Sequence, residues 1–180
     1  MSREAYTLLA VKRLAWVIVI LVLAGSAFAK SKIQSKYDKF KNSTEVSTEP
    51  VAVQRGFGGS LRVSFSYVCM GNTDSCHPDK VSADFHASSL TGLYTKVHSV
   101  IFLADGARIL PVERESWDSY VGGDPVSRRV YETITAQVNV ADFLKIASAS
   151  HVEGEVGPTR FTVKDNQLEV WQELAKKIGH

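Results

Sequence analysis

Residues 61–68 read LRVSFSYV, and apolar and polar side chains alternate strictly along them. Leu61, Val63, Phe65 and Tyr67 fall on one side of an extended chain, and Arg62, Ser64 and Ser66 fall on the other. Because successive side chains of a β-strand point to opposite faces of its sheet, this period of two predicts a strand with one face in the core. We therefore expect an α+β, mainly β fold, built on an antiparallel sheet or a β-sandwich.

The segments on either side of this stretch extend the same pattern. Residues 80–86 alternate in the same way and should pair with residues 61–68 as a hairpin around a polar loop. Glycine-rich residues 56–59 interrupt the chain before the first of these strands, which leaves residues 51–55 as a separate edge strand.

The polar loop of this hairpin contains Cys69 and Cys76, the two cysteines of the chain. A disulfide is the expected state in an oxidising compartment, and its short closed loop puts the stabilisation near the low end of roughly 2 to 4 kcal/mol. The alternative is a soft-metal site, because Cys69, Met70, Cys76 and His77 offer the thiolate, thioether and imidazole ligands that suit copper(I). The spacing matches no common zinc or redox motif, so we expect the disulfide and no cofactor.

A second hairpin is predicted further along the chain. Residues 97–103 are apolar on both faces, which is typical of a central strand covered on each side. The pair Asp105-Gly106 follows, and Asp-Gly between apolar runs indicates a type I′ turn. Residues 107–112 should therefore return antiparallel to residues 97–103.

Residues 113–127, ERESWDSYVGGDPVS, are predicted to be a long loop before a strand over residues 128–140, whose apolar face is interrupted by Glu132. Long loops in compact domains are usually functional or disordered. Trp117 and Tyr120 offer large, stiff contact area with a polar tip, which suits partner recognition. The alternative is that Trp117 folds back over the sheet as a plug for the core.

The chain closes with two predicted helices around a hairpin. Residues 143–147 have helical spacing and predict a short helix, and residues 152–163 contain two short strands around a Gly-Pro turn. Residues 165–178 predict a C-terminal amphipathic helix whose Trp171 face lies on a sheet.

This ending carries a resemblance. Residues 143–178, FLKIASASHVEGEVGPTRFTVKDNQLEVWQELAKKI, are similar to the ending of small exported bacterial domains of uncharacterised function, chiefly through Gly157, Phe161, Leu168 and the helix pattern. In those domains a short helix, a hairpin with a glycine turn and a terminal amphipathic helix follow several antiparallel strands. The resemblance implies a bacterial origin, export and an α+β or sandwich fold, and it carries no catalytic residue over.

Residues 1–29 have the pattern of a secretory signal peptide. Two basic residues precede an apolar run over residues 14–25. Ala27 and Ala29 supply the small side chains that signal peptidase requires, so we expect cleavage after Ala29. An uncleaved anchor is the alternative, but the run is shorter than the about 20 apolar residues of a spanning helix.

The chain after residue 29 is predicted to consist of two parts that meet at residue 48. Residues 30–48 contain five lysines and few apolar side chains, which predicts a basic linker. Residues 49–180 are predicted to form a single β-rich domain. The expected location is periplasmic or extracellular, or membrane-anchored if the signal stays uncut.

Composition and motifs narrow the function. The chain is 44% hydrophobic and 22% charged, which excludes a disordered polar chain and a polytopic membrane protein. Beyond residue 29 acidic and basic side chains are equal in number, and nucleic acid is not an expected partner because binding it depends on phosphate neutralisation. The sequence has no G-x-S-x-G or H-E-x-x-H motif and no phosphate-binding glycine loop.

One side-chain pair offers an enzymatic alternative. His86 and Asp84 share the polar face of a predicted strand and are the candidate pair for a hydrolase, although such neighbours are structural far more often than catalytic. We expect instead a non-enzymatic accessory or binding domain. Its partner would be a protein or an envelope component, and the membrane would be touched only through the N-terminal signal or anchor.

Overall fold

The computed structural model describes residues 32–56, 59–96, 98–113, 115–124 and 128–178. The strands are β1 (Ile33–Asp38), β2 (Ser43–Thr48), β3 (Val51–Gly56), β4 (Gly59–Met70), β5 (Lys80–Ser89), β6 (Val100–Ala104), β7 (Ala107–Ile109), β8 (Ser116–Gly122), β9 (Arg129–Asn139), β10 (Val152–Val156) and β11 (Thr159–Val163). The helices are α1 (Val140–Ser148) and α2 (Asp165–Ile178). The predicted signal peptide, with Ala27 and Ala29, lies outside the described residues.

Two antiparallel sheets make up the architecture. The large sheet has the order β1-β2-β4-β5-β9-β8, with β3 paired to the same edge of β4 as β2. The small sheet has the order β11-β10-β6-β7. The predicted mainly β, α+β fold with antiparallel sheets, a short helix and a C-terminal helix is confirmed. Neither described helix has the length and apolar character needed to cross a bilayer.

The alternating stretch over residues 61–68 lies in β4 and supplies the centre of the core. Residues 61, 63, 65 and 67 of β4 are all buried, and β4 pairs with β5 as the predicted hairpin. The ring of Phe65 lies 4.9 Å from that of Phe143 in α1, 4.8 Å from that of Trp171 in α2 and 5.9 Å from that of Phe102 in β6. One aromatic side chain of the large sheet thus contacts both helices and the small sheet, and the Trp171 face of α2 packs on a sheet as predicted.

The basic linker predicted over residues 30–48 is wrong from Ile33 onward. β1 and β2 form an antiparallel hairpin, and β2 pairs with β4 at the edge of the large sheet. Three inward side chains of β2, those of Thr44, Val46 and Thr48, are buried. The hairpin belongs to the same compact unit as the rest of the domain, because these side chains extend the core.

Residues 113–127 are not the predicted long loop either. Residues 116–122 form β8, which pairs with β9 over its whole length. Trp117 and Tyr120, which were expected in a loop, therefore belong to a paired strand of the large sheet.

The small sheet contains the predicted turn. Asp105 and Gly106 have φ angles of 47° and 81°, the positive values of a type I′ turn, and β6 and β7 pair around them. The strand predicted over residues 97–103 runs from Val100 to Ala104, and its outer face is half-buried where both faces were expected to be covered.

The connection between the two sheets is held by a buried carboxylate. Glu132 in β9, which is 1% exposed, accepts hydrogen bonds from the backbone N–H groups of Leu93 at 2.7 Å and Tyr94 at 2.9 Å. The hydroxyl of Tyr94 in turn donates to Thr159 of β11 at 2.7 Å. A charged side chain that interrupts an apolar face therefore fixes the crossover from the large sheet to the small one.

Candidate functional site

The loop between β4 and β5 is closed by the predicted disulfide. Cys69 and Cys76 are bonded, with 5.8 Å between their Cα atoms. Because both sulfurs are used, neither is a thiolate ligand, and Met70 points to solvent from the face of β4 opposite Cys69. Among the described residues no three His, Cys, Asp or Glu side chains come together as a metal site. The copper alternative through Cys69, Met70, Cys76 and His77 has no support in this geometry.

The same loop is fastened to distant elements through Asp74. Its carboxylate pairs with Lys177 of α2 and accepts a hydrogen bond from the Ser35 hydroxyl of β1 at 3.4 Å. The Lys177 hydrogen bond and charge lower the pKa of Asp74. The Tyr67 hydroxyl donates to the Asp74 carbonyl at 3.0 Å, and burial, aided by the Asp74 charge, raises the pKa of Tyr67. These contacts indicate that the disulfide loop is structural.

His86 and Asp84 lie on the outer face of the large sheet, as predicted, but they bond to hydroxyl groups of neighbouring strands. Asp84 accepts from Thr135 at 2.6 Å and from Ser66 at 3.4 Å. The Nε2 atom of His86 lies 3.4 Å from the Ser64 hydroxyl, and its Nδ1 atom lies 3.5 Å from the Thr133 hydroxyl. Each residue of the pair is therefore bound across the sheet.

This arrangement lacks the orientation that a serine hydrolase needs. In a Ser-His-Asp triad a carboxylate accepts from Nδ1, fixes the tautomer and stabilises the imidazolium. Here the group beside Nδ1 is the hydroxyl of Thr133, while Asp84 is occupied by Thr135. The Ser64–His86 contact is consequently a polar cross-strand contact and not an activated nucleophile.

Together these side chains form a polar strip on the outer face that we call the trough. Its members come from the three central strands: Ser64, Ser66, Ser82, Asp84, His86, Thr133, Thr135 and Gln137. Ser64 and Ser66 point outward and yet are only 6% and 7% exposed. Gln137 donates to the Ser82 hydroxyl at 3.1 Å, which adds a third group of cross-strand hydrogen bonds to the trough.

An aromatic pair lies at one end of the trough. Tyr120 of β8 stacks on Tyr131 of β9, with ring centroids 5.0 Å apart and planes at 14°, and Tyr120 is 64% exposed. A Cβ atom at Gly122 would lie 3.1 Å from the Tyr131 ring, so a glycine at this position lets the ring lie across the strand. The stack presents a fixed aromatic surface to solvent.

Trp117 is on the other side of the same strand. It is three residues from Tyr120, and an odd separation in a strand puts two side chains on opposite faces. Trp117 is half-buried against the core and stacks on His98, with ring centroids 5.3 Å apart and planes at 7°. The geometry favours the interpretation of Trp117 as a core plug, and it separates Trp117 from Tyr120, the pair predicted to bind a partner.

The opposite end of the trough opens into a groove of about 590 Å³ beside the disulfide. Val68 and Met70 of β4 are exposed there, and His77 and Pro78 of the loop line the groove as well. The groove also includes Ser82 and Gln137, so it continues the trough. Apolar and aromatic surfaces thus mark the two ends of a polar strip.

Comparison with protein-family models, curated proteins and solved structures gave no match.

The sequence pattern predicted that most of the trough residues lie on the polar face of their strands, but it did not predict which of them contact each other. Alternation put Ser64, Asp84 and Thr135 on the outward side of their strands. Their proximity depends on cross-strand register, in which Asp84 lies between Ser64 and Thr135. Aligning the two predicted hairpin strands on their apolar positions predicts that Ser64 lies beside Asp84. The contact of Asp84 with Thr135 cannot be predicted in this way, because it requires the order of the strands in the sheet.

Proposed function

We propose that this chain is an exported, non-enzymatic binding domain, and that its contact surface is the outer face of the large sheet around the trough. The observation that carries the proposal is the contrast between the two sides of that sheet. α1 and α2 pack on the inner side, and the described residues leave the outer side open, with a bonded polar network between exposed Tyr120 and exposed Met70.

Two features support export. Residues 1–29 have the signal pattern, and the disulfide between Cys69 and Cys76 suits an oxidising compartment. The hydrolase alternative through His86 and Asp84 is the weaker proposal, since the group beside Nδ1 of His86 is the Thr133 hydroxyl and not the carboxylate of a Ser-His-Asp triad.

A second groove competes as a contact surface. It has a volume of about 570 Å³ and lies on the outer face of the small sheet, where Ile101 and Leu103 flank acidic residues. Arg160 and Glu155 in this groove already pair with each other at 2.6 Å. The aromatic side chain that lines this groove, Phe161, is buried, whereas Tyr120 beside the trough is exposed. The trough is therefore the better candidate, and the second groove provides a control.

The experiment follows the full chain in its source organism. Cell fractionation and N-terminal sequencing should find the protein outside the cytosol, beginning at Lys30, and the intact mass should be two hydrogens below the reduced value. Retention on isolated cell envelope should then be measured for Thr135→Lys, which puts a long charged side chain into the trough, and for Glu153→Lys in the second groove.

Loss of retention with Thr135→Lys, and unchanged retention with Glu153→Lys, is the expected result, provided that circular dichroism shows both variants folded. A reduced, full-length protein in the cytosol would refute export. Retention that is lost only with Glu153→Lys would transfer the contact surface to the small sheet.

A further inference from the structure

We infer that the trough binds an uncharged polysaccharide, an inference that rests on the proposed function and names the class of ligand for its site. The trough and its aromatic end combine the two kinds of contact that a sugar chain requires. Sugar hydroxyl groups need many short donors and acceptors, and the C–H faces of sugar rings need a flat apolar surface.

The donors and acceptors of the trough are mostly neutral. Of its eight members, six carry hydroxyl or amide groups, and the carboxylate of Asp84 is engaged by Thr135 and Ser66. Charged side chains of both signs surround Asp84 on this face, and they include basic Arg62, Lys80 and Arg129 and acidic Asp118 and Glu45. A face on which neither sign dominates is a weak electrostatic complement to a phosphate polymer or a strongly charged peptide, and it suits a neutral, hydroxyl-rich chain.

These side chains are fixed before any ligand arrives. Thr135 is bonded to Asp84, and Gln137 is bonded to Ser82, so binding does not have to immobilise free rotamers. A hydroxyl group that donates one hydrogen bond keeps acceptor lone pairs, and a side-chain amide has several sites. The network therefore retains capacity for an incoming chain while it holds its own geometry.

The aromatic end supplies the flat surface. Tyr131 holds Tyr120 in a stacked position, and the exposed ring of Tyr120 lies on the trough face of β8. From Tyr131 to Gln137 the face extends about 20 Å at roughly 3.3 Å per residue. An extended chain can therefore stack on the tyrosines and lie along the hydroxyl groups at once.

The test uses the exported protein purified in its oxidised form. Binding should be measured by calorimetry and by co-sedimentation with three neutral polysaccharides, namely cellulose, chitin and dextran, and with alginate as an anionic comparison. Tyr120→Ala should weaken binding to the neutral ligand about tenfold, whereas Tyr120→Phe should retain it because the ring remains. Thr135→Val should also weaken binding, and Glu153→Ala on the small sheet should not.

The outcomes separate the inference from the proposed function. Saturable neutral-polysaccharide binding that depends on Tyr120 supports the inference, and binding that survives Tyr120→Ala and Thr135→Val overturns the site. If no neutral polysaccharide binds but envelope retention still depends on Thr135, the ligand class is wrong and the contact surface stands. If neither depends on the trough, both proposals fail. Preference for alginate would also overturn the inference, because it would require a positive surface.

Discussion

Phe65 and Ser66 are neighbours in β4, yet Phe65 lies at the centre of the core and Ser66 lies in the trough. The same alternation along β4, β5 and β9 builds two surfaces with opposite chemistry. On the inner face, apolar side chains bury against the helices and the small sheet, and burial of this kind supplies most of the folding free energy. On the outer face, hydroxyl groups bond to the Asp84 carboxylate, the His86 ring and the Gln137 amide. A hydrogen bond of this kind contributes only about 0.5–1.5 kcal/mol net. Substitutions of trough residues should therefore leave the fold intact.

The largest expected effect comes from removing the inner contact. Phe65→Ala should lower the free energy of unfolding by about 3–5 kcal/mol, because it deletes a ring that contacts α1, α2 and β6 and leaves a cavity. Equilibrium denaturation in guanidinium chloride measures the change.

The matched control is Ser66→Ala on the outer face of the same strand, where we expect a loss of no more than about 1 kcal/mol. Equal losses at the two positions would show that the trough is part of the stabilising core, and the contrast between the faces would then be wrong.

Glu132 sharpens the comparison because it is a charged residue on the inner face. Glu132→Gln keeps the shape but puts an amide nitrogen where one of the backbone N–H groups of Leu93 and Tyr94 now finds a carboxylate oxygen. We expect a loss of about 1–3 kcal/mol from the buried donor left without a partner. Thermal unfolding, followed by circular dichroism, should detect it.

Asp84→Asn is the control for Glu132, since Asp84 is a carboxylate of the outer face and bonds to Thr135. Its loss should be smaller than that of Glu132→Gln. If Asp84→Asn destabilises the protein more, the outer network contributes to the fold and its side chains are not free for binding.

Alternation in the sequence predicted the strands whose inward positions are apolar, and it failed where they are not. β4 and β9 were identified because residues such as Phe65 and Ile134 recur every second position. β2 was missed because two of its three buried side chains are threonines, which read as polar although their methyl groups pack in the core. β8 was missed because it is an edge strand with Ser119 on its inner side, so no apolar alternation marks it.

The sequence likewise predicted only part of the candidate site. The sequence predicted the disulfide from two cysteines and the polar character of residues 82–86 from their period. It could not predict that Tyr120 lies beside Tyr131, because this contact needs β8 to be a strand and to pair with β9 in a particular register. Pairing of this kind is a property of the whole sheet, and local propensity does not determine it.

The smallest expected effect on stability concerns a carboxylate that lies on neither face of the large sheet. Asp105 lies in the exposed turn between β6 and β7, where it accepts hydrogen bonds from the Ser150 hydroxyl at 2.8 Å and from the His151 N–H at 2.9 Å. The Ser150 side chain, followed by the backbone N–H groups of His151 and Ser150, lowers the pKa of Asp105. A carboxyl group whose folded pKa is lowered stabilises the protein above its unfolded pKa, and this stabilisation is lost as the pH falls through the folded value.

Asp105→Asn isolates that charge, because asparagine also tolerates the positive φ of this position. The variant should be slightly less stable than the wild type at pH 7, and the difference should shrink as the pH falls below about 4, the ordinary range of an aspartate. Chemical denaturation of both proteins from pH 7 to pH 2.5 measures it, and the other carboxylates cancel in the difference. A gap that stays constant to pH 2.5 would assign the effect to hydrogen-bond geometry, and charge would then contribute nothing measurable at this turn.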